Sequence, residues 1–254
     1  MKLPTHIKQR QLPIADHDGF TFARLQIAHF RHFENFAHEP TVARHRVAVK
    51  RTFQYVRRTM SPVEQPARLQ AAVARLNAAN AADPNGRELE YAGQLSAWVH
   101  RLCPAPPETL QLAARAQHLR RWMIPRESYP PDRVGYLKWR ADLKLFHAQQ
   151  AAEILTAVGY DEALVTQVQD LICKRNFPHD PASRILEDAL CLVFLETQFP
   201  ATTAKTGADK MVKILQKTWK KMTPQAQTMA YTLPLSAESR ALIQRALQPT
   251  HEPL

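Results

Sequence analysis

Glycine is scarce in this chain of 254 residues, which contains 6 glycines against 19 prolines. Neither of the two common glycine-rich phosphate motifs, G-x-G-x-x-G and G-x-x-x-x-G-K-[ST], occurs in it. The sequence therefore excludes a Rossmann dinucleotide turn and a P-loop. Cysteine is rare as well: the 3 cysteines make an odd count and contain no C-x-x-C pair. They predict reduced, mostly buried thiols in a cytosolic protein rather than a disulfide framework.

Long apolar runs are also missing. Residues 1–18 contain no continuous apolar segment of the signal-peptide kind. No run of about 18 apolar residues, the length that crosses a membrane, occurs elsewhere in the chain. We therefore expect a cytoplasmic protein without a membrane partner. The composition does support a folded core, because 45% of the residues are hydrophobic, which argues against global disorder.

Positive charge is concentrated before residue 60. Residues 1–59 hold eleven of the 34 lysines and arginines but four of the 23 acids. Helical periodicity is weak there, whereas 61–64 reads Ser-Pro-Val-Glu, which has the cap, proline and acid of a helix start. We interpret residues 1–59 as a basic, weakly structured extension. A start codon assigned too early, with Met60 as the true start, would explain it. The alternative is a basic arm that binds RNA or another acidic partner.

After residue 60 the apolar residues recur at helical spacing, and proline, glycine and capping residues mark the breaks. No alternating run of strand length and no internal repeat is found. We therefore predict an all-α fold with one multi-helix domain over residues 61–250. The predicted helices cover 67–82, 87–102, 108–122, 132–158, 161–175, 181–199, 207–222, 223–233 and 236–247.

Two carboxylates interrupt the predicted helix 181–199, which is otherwise apolar on nearly all sides. Glu187 and Asp188 lie in its middle, and Asp188 falls in one stripe with Ile185 and Leu192. A buried charge without a partner costs on the order of several kcal/mol. Asp188 is therefore either a structural hydrogen-bond or ion-pair partner, or a metal ligand or base.

Candidate partners lie on the predicted helix 132–158. Arg140, Lys144 and His147 follow one another there at i, i+4 and i+7 and form one polar line. Such a line suits a phosphate or a carboxylate, and the alternative is a solvated helix face. His118 ends an alanine-rich segment, where it is either a structural cap or a ligand.

Neutral imidazoles and a carboxylate together suit Zn, Fe, Mn or Ni. The order of His118, His147 and Asp188 along the chain resembles that in the HD-domain metal phosphohydrolases, an all-α family. The resemblance implies an HD-like domain, a divalent metal held by these three residues, and hydrolysis of a phosphate ester. The match is partial, because Leu119 follows His118 where the family has an aspartate. The family's first histidine, expected one helix earlier, has only the acids Glu88 and Glu90 as counterparts within 87–102, because His100 falls too late in that helix.

Five short stretches resemble the signatures of the family catalogued as domain of unknown function 4202. The likeness covers roughly residues 65–250, leaves out the first 60 residues, and implies no particular reaction. The stretches are Ala79-Asn80-Ala81-Ala82-Asp83-Pro84, Gln117-His118-Leu119-Arg120-Arg121-Trp122, Ile124-Pro125-Arg126, Gly135-Tyr136-Leu137-Lys138-Trp139-Arg140 and Leu186-Glu187-Asp188-Ala189.

Basic and aromatic residues alternate between His118 and His147, a composition that suits phosphate binding and base stacking. The leading prediction is a protein that binds a phosphorylated small molecule or nucleotide, acting as a metal-dependent phosphohydrolase if it is an enzyme. The alternative is a non-catalytic RNA- or protein-binding module that uses the basic-aromatic surface. The candidate catalytic residues are His118, His147, Asp188 and Glu187, and the candidate substrate-binding residues are Arg121, Arg126, Arg140, Lys144 and Lys174.

Overall fold

The structure is a computed structural model and describes residues 64–248. As predicted, the regular elements in this range are all helical, and none of them is a strand. No helix among these residues is both long enough and apolar enough to cross a membrane. The predicted basic extension over 1–59 lies outside the described residues. The α-helices are α1 (Glu64–Ala81), α2 (Arg87–Leu102), α3 (Glu108–Ala116), α4 (Arg133–Val158), α5 (Glu162–Cys173), α6 (Pro181–Val193), α7 (Phe199–Thr206), α8 (Ala208–Trp219), α9 (Pro224–Tyr231) and α10 (Ala237–Leu247).

Capping residues fix the starts of five helices close to where the sequence predicts them. Asp132, Asp161, Asp180, Thr223 and Ser236 each stand just before a helix, and each side-chain oxygen accepts the backbone N–H three residues further on. Each bond satisfies one of the N–H groups that a helix start leaves free. The caps therefore explain why these boundaries are readable from the sequence.

One predicted helix, 108–122, is shorter in the structure. α3 ends at Ala116, and Arg120 adopts left-handed backbone with φ of 54°. The chain then makes two short 3-10 turns, Arg121–Met123 and Arg126–Ser128, before α4 begins. A non-glycine residue in the left-handed region is strained, so propensity alone does not predict this turn.

The predicted helix 181–199 is broken and extended instead. α6 ends at Val193, a π-helical segment follows over Phe194–Gln198, and α7 carries the chain on to Thr206. The Trp98 indole N–H donates to Glu196 within the segment, with 2.6 Å between Nε1 and Oε2. π-Helical turns occur frequently at functional sites, and this one borders the cavity described below.

α3 lies at the centre of the bundle, where it packs against α1, α2, α4, α5 and α6. Its small side chains allow this close approach: Ala113, Ala114 and Ala116 are at most 1% exposed. α6 is the second central helix and packs against α2, α3, α5 and α9. Leu186 and Leu192 are buried on it, and each contributes about 2 kcal/mol by leaving water.

Candidate functional site

A cavity of about 290 Å³ opens among α2, α4, α6 and the segment that follows α3. The structure brings most of the predicted site residues to this one cavity. Apolar side chains, among them Leu143 and Phe194, complete its walls. Asp188 and Arg126 are not among the lining residues. The predicted residues that do line it are His118, Arg121, Arg140, Lys144, His147, Lys174 and Glu187.

His147 is fixed in one tautomer by the backbone of the turn after α3. Its Nδ1 lies 2.7 Å from the carbonyl oxygen of Leu119, and because a carbonyl only accepts, Nδ1 carries the proton. Burial lowers the pKa of His147 to about 3, so the ring is neutral at pH 7. Its buried Nε2 has no hydrogen-bond partner among the described residues. His147 therefore contributes an unpaired lone pair to the site.

His118 is held in place from α2. Its Nδ1 lies 3.2 Å from Oε2 of Glu88, and its ring stacks on Tyr91 with centroids 3.9 Å apart and planes within 6°. The rings of His118 and His147 have their centroids 6.1 Å apart. Burial lowers the pKa of His118, although Glu88 opposes this shift. The two predicted histidines thus share one site, with Glu88 and Tyr91 as supports.

One wall of the cavity carries cations that form no ion pair within residues 64–248. Arg121 lies over the ring of Trp139, with its guanidinium carbon 4.7 Å from the ring centroid. Arg140 donates to the hydroxyl of Tyr136 at 3.2 Å. Within residues 64–248, Arg121, Arg140 and Lys144 form no ion pair. This wall therefore presents uncompensated positive charge to the cavity.

Another part of the lining carries a buried carboxylate that pairs with two lysines. Glu187 is 4% exposed; it pairs with Lys174 through Oε2 and with Lys221 through Oε1, the latter at 3.2 Å. Burial alone would raise the pKa of Glu187, but the two lysines lower it below its ordinary value. Lys174 has a φ of 58° at the end of α5, a left-handed conformation that is uncommon outside glycine.

Asp188 belongs to a different part of the molecule. Its carboxylate accepts the backbone N–H of Thr223 at 2.8 Å and the hydroxyl of the same residue at 2.5 Å. The Thr223 hydroxyl oxygen in turn accepts the N–H of Ala226 and so caps α9. These contacts give Asp188 a role in joining α6 to the start of α9.

The predicted metal ligands do not come together. His118 and His147 share the cavity, but Asp188 is held by Thr223 outside it. No three His, Cys, Asp or Glu side chains within 64–248 are grouped in a way that could hold a metal ion. The residues present do not fit the predicted three-ligand centre, and we derive no step through a metal.

Arg126 holds the loop between α3 and α4 together. Its guanidinium donates to the carbonyl oxygens of Tyr129 at 2.9 Å and Pro130 at 2.7 Å. The same loop passes close to α4, because a Cβ at Gly135 would clash with the Pro130 carbonyl oxygen. Arg126, predicted to bind substrate, is thus engaged by its own loop.

Three contributors to the site are not among the residues predicted from the sequence: Glu88, Tyr91 and Lys221. Glu88 and Tyr91 stand three residues apart on α2, so their side chains project from the same face. Lys221 follows a row of lysines on α8 whose spacing indicates a solvated face. No local pattern distinguishes these three residues, because each acquires its role from a helix that is distant in sequence.

A family model described as "Domain of unknown function (DUF4202)" matches residues 70–243. The chain belongs to this family. The match spans all the residues that line the cavity, which lie between Tyr91 and Lys221. No curated protein and no solved structure matches the chain. Membership in DUF4202 brings no reaction with it, so a functional proposal has to rest on the chemistry of the cavity.

Proposed function

We propose that the cavity binds a phosphorylated small molecule or nucleotide. The observation that carries this proposal is the charge of the described residues that line it: five are bases and one, Glu187, is an acid. Glu187 balances one positive charge at most, which leaves a marked excess in a small, partly enclosed space. The five bases are Arg121, Arg140, Lys144, Lys174 and Lys221.

A bound anion would relieve this imbalance. Like charges that line one cavity repel, and a phosphate dianion supplies the missing negative charge. A guanidinium group presents a planar fork of donors that matches two phosphate oxygens. Arg121 and Arg140 approach the cavity from two different elements, so together they suit a tetrahedral anion.

The unpaired Nε2 of His147 adds a second requirement on the ligand. A buried acceptor without a donor is costly, on the order of 1–3 kcal/mol. A hydroxyl of the ligand, or a protonated phosphate oxygen, would satisfy it. The cavity thus suits a ligand that combines negative charge with at least one O–H or N–H donor.

Hydrolysis of this ligand by an HD-like, metal-dependent phosphohydrolase is the finer form of the proposal. The presence of His118 and His147 in one cavity supports it, whereas the position of Asp188 does not. The divalent metal, with Mn, Fe, Ni and Zn as candidates, stays a prediction. Measuring the metal content of the purified protein tests it.

Calorimetric titration of the full chain with inorganic phosphate, pyrophosphate and AMP tests the binding proposal. We expect Arg140→Ala and Lys144→Ala to weaken binding about tenfold each, because each removes one charge-assisted contact. Arg133→Ala on α4 and Lys213→Ala on α8 are matched controls, since both residues are exposed and do not line the cavity. Absence of binding for all three compounds, or equal losses in the controls, would contradict the proposal.

The alternative proposal, a non-catalytic module that binds RNA or protein, is supported by the arginine-rich aromatic surface beside the cavity. Its aromatic rings already contact arginines of the same chain, as Trp139 does with Arg121. Binding of this kind would weaken steeply with salt and would be insensitive to Lys144→Ala. Titration with a single-stranded RNA at two salt concentrations separates the two proposals.

A further inference from the structure

His118 lies on the boundary between two cavities. The second is an open groove that shares Tyr91, His118 and Arg121 with the cationic cavity. Apart from the shared Arg121, its charged lining residues are Glu88, Glu90 and Arg87 of α2, so the groove carries no excess positive charge of its own. A phosphate ester that spans both spaces would place its phosphate in the cationic cavity and its neutral, polar part in the groove. The bond between the two parts would then lie beside His118.

We infer that His118 is the proton-transfer residue of this site and that Glu88 is the residue that positions it. The inference rests on the proposed phosphate site and adds the chemistry that the site performs. It assigns to a histidine and a carboxylate a step that would otherwise require a bound metal.

The geometry around His118 suits this role. The Glu88 carboxylate accepts a hydrogen bond, so at 3.2 Å it holds the proton on Nδ1 and leaves the lone pair on Nε2. Tyr91 stacks on the ring and fixes its plane. About a quarter of the His118 side chain is exposed, whereas the whole of His147 is 3% exposed. His118 is therefore both oriented and accessible, as a general base must be.

The charges near His118 link its proton to the ligand. Glu88 of α2 favours the protonated ring, while Arg121 in the turn after α3 and Arg140 of α4 disfavour it. The other titratable groups that line the two spaces around it are Arg87, Glu90 and Tyr91 of α2, Lys144 and His147 of α4, Glu187 and Cys191 of α6, and Lys174 and Lys221. An anion that pairs with the arginines removes their repulsion, so binding should raise the proton affinity of His118.

The step balances without a further reactant. His118 Nε2 takes a proton from a water molecule while the water oxygen bonds to phosphorus. The bond between phosphorus and the ester oxygen breaks on the opposite side of phosphorus, the ester oxygen takes a proton from solvent, and His118 releases its proton to solvent. One water is consumed, an alcohol and a phosphate leave, and the histidine returns to its starting state. Arg121 and Arg140 would stabilise the negative charge that develops on the phosphoryl oxygens.

His147 would act differently, although it is the same residue type. The Leu119 carbonyl holds its proton on Nδ1 just as Glu88 does for His118, but no carboxylate within residues 64–248 stabilises its charged form. We therefore expect His147 to stay neutral and to accept a hydrogen bond from the ligand. The two histidines then differ in a property that can be measured separately for each.

The experiment is a pH titration by NMR of the full chain with 15N-labelled histidines, with and without sulfate. Sulfate is chosen because it carries two negative charges and does not itself titrate near neutral pH. His118→Gln and His147→Gln assign the two sets of signals. We expect His118 to carry its proton on Nδ1 and sulfate to raise its proton affinity about tenfold, with a much smaller change at His147.

Glu88→Gln is the variant that tests positioning. It should abolish the tautomer preference of His118 and lower its proton affinity, while sulfate still binds. A purely structural role of Glu88 would leave the tautomer unchanged.

The outcomes separate the two proposals. If sulfate perturbs the cavity but His118 carries its proton on Nε2, or does not respond to sulfate, the proton-transfer inference is overturned and the anion site stands. If neither sulfate nor inorganic phosphate perturbs any cavity residue, the proposed function falls and the inference falls with it. Hydrolysis of p-nitrophenyl phosphate that His118→Gln leaves unchanged would likewise overturn the inference.

Discussion

Glu187 and Asp188 are neighbours on α6 and are almost equally buried, at 4% and 3% exposed, yet they belong to two different regions. Glu187 faces the cavity and is bound by two lysines, Lys174 and Lys221. Asp188 faces the start of α9 and is bound by neutral donors of Thr223. In both regions the buried carboxylate has hydrogen-bond or ion-pair partners. Whether the region can respond to a ligand depends on whether those partners are charged or neutral.

The difference is visible in the protonation of the two groups. Lysines lower the pKa of Glu187 below its ordinary value even though burial opposes them. Burial raises the pKa of Asp188, because the hydrogen bonds from Thr223 only partly offset the loss of hydration. The charges of an ion pair still interact with a third charge, such as that of a ligand. The carboxylate of Asp188, in contrast, is already engaged by the hydrogen bonds from Thr223. The proposed ligand binding therefore concerns the Glu187 region, and we expect the Asp188 region to contribute to stability.

Asp188→Ala gives the largest expected effect. It removes two hydrogen bonds to a buried carboxylate and leaves the Thr223 N–H without its acceptor, which costs about 3 kcal/mol of unfolding free energy. Asp188→Asn keeps one acceptor and the shape, so its cost should be about 1 kcal/mol or less. Denaturant unfolding measures both. Phosphate binding should be unchanged in each folded variant, and a selective loss of binding would move Asp188 back into the site.

The sequence could predict the helices and much of the site, but not the division between these two carboxylates. The starts of α4, α5, α6, α9 and α10 follow from caps, which act within a few residues. His147 and Arg140 could be predicted because their spacing places them on one face of α4. α6, however, is buried on nearly all sides, so hydrophobic periodicity cannot show which of its carboxylates faces a cavity.

Which carboxylate of α6 belongs to the cavity is determined by partners that are distant in sequence. Lys174 reaches Glu187 from the left-handed end of α5, and Thr223 reaches Asp188 from the loop after α8. Glu88 supports His118 across thirty residues of chain. Such pairs are set by how the helices pack, and no local propensity encodes them. The same reason explains why the three predicted ligands do not line one cavity: His118 and His147 do, but α6 presents Glu187 rather than Asp188 to it.

Glu187→Gln should lower the free energy of unfolding of the ligand-free protein by less than Asp188→Ala does, and anions should partly restore it. Lys174, whose side chain is 24% exposed, loses its carboxylate partner. Because that charge stays partly hydrated, we expect a cost of about 2 kcal/mol, below the value for a fully buried pair. Inorganic phosphate should recover part of this loss, because the variant cavity carries more positive charge.

Thermal unfolding with and without phosphate measures this recovery, and Asp188→Asn is the control. Phosphate should raise the melting temperature of Glu187→Gln by more than that of the unmodified chain. It should raise that of Asp188→Asn by the same amount as in the unmodified chain. Equal responses in the two variants would remove the distinction between the regions.

The smallest expected effect is an opposite pH dependence of the two carboxylates. The folded pKa of Glu187 is lowered from 4.5 by its lysines, so its stabilising contribution is present above pH 4.5 and is lost as the pH falls through the folded value. The folded pKa of Asp188 is raised from 3.8 by burial, so its ionisation destabilises the fold, and stability is gained as the pH falls through that raised value.

Glu187→Gln should therefore flatten the acid loss of stability, whereas Asp188→Asn should steepen it. Unfolding free energies measured at a series of pH values between 3 and 6 show whether each variant makes the acid loss of stability less steep or steeper. A change of the same sign in both would show that the two carboxylates share one environment.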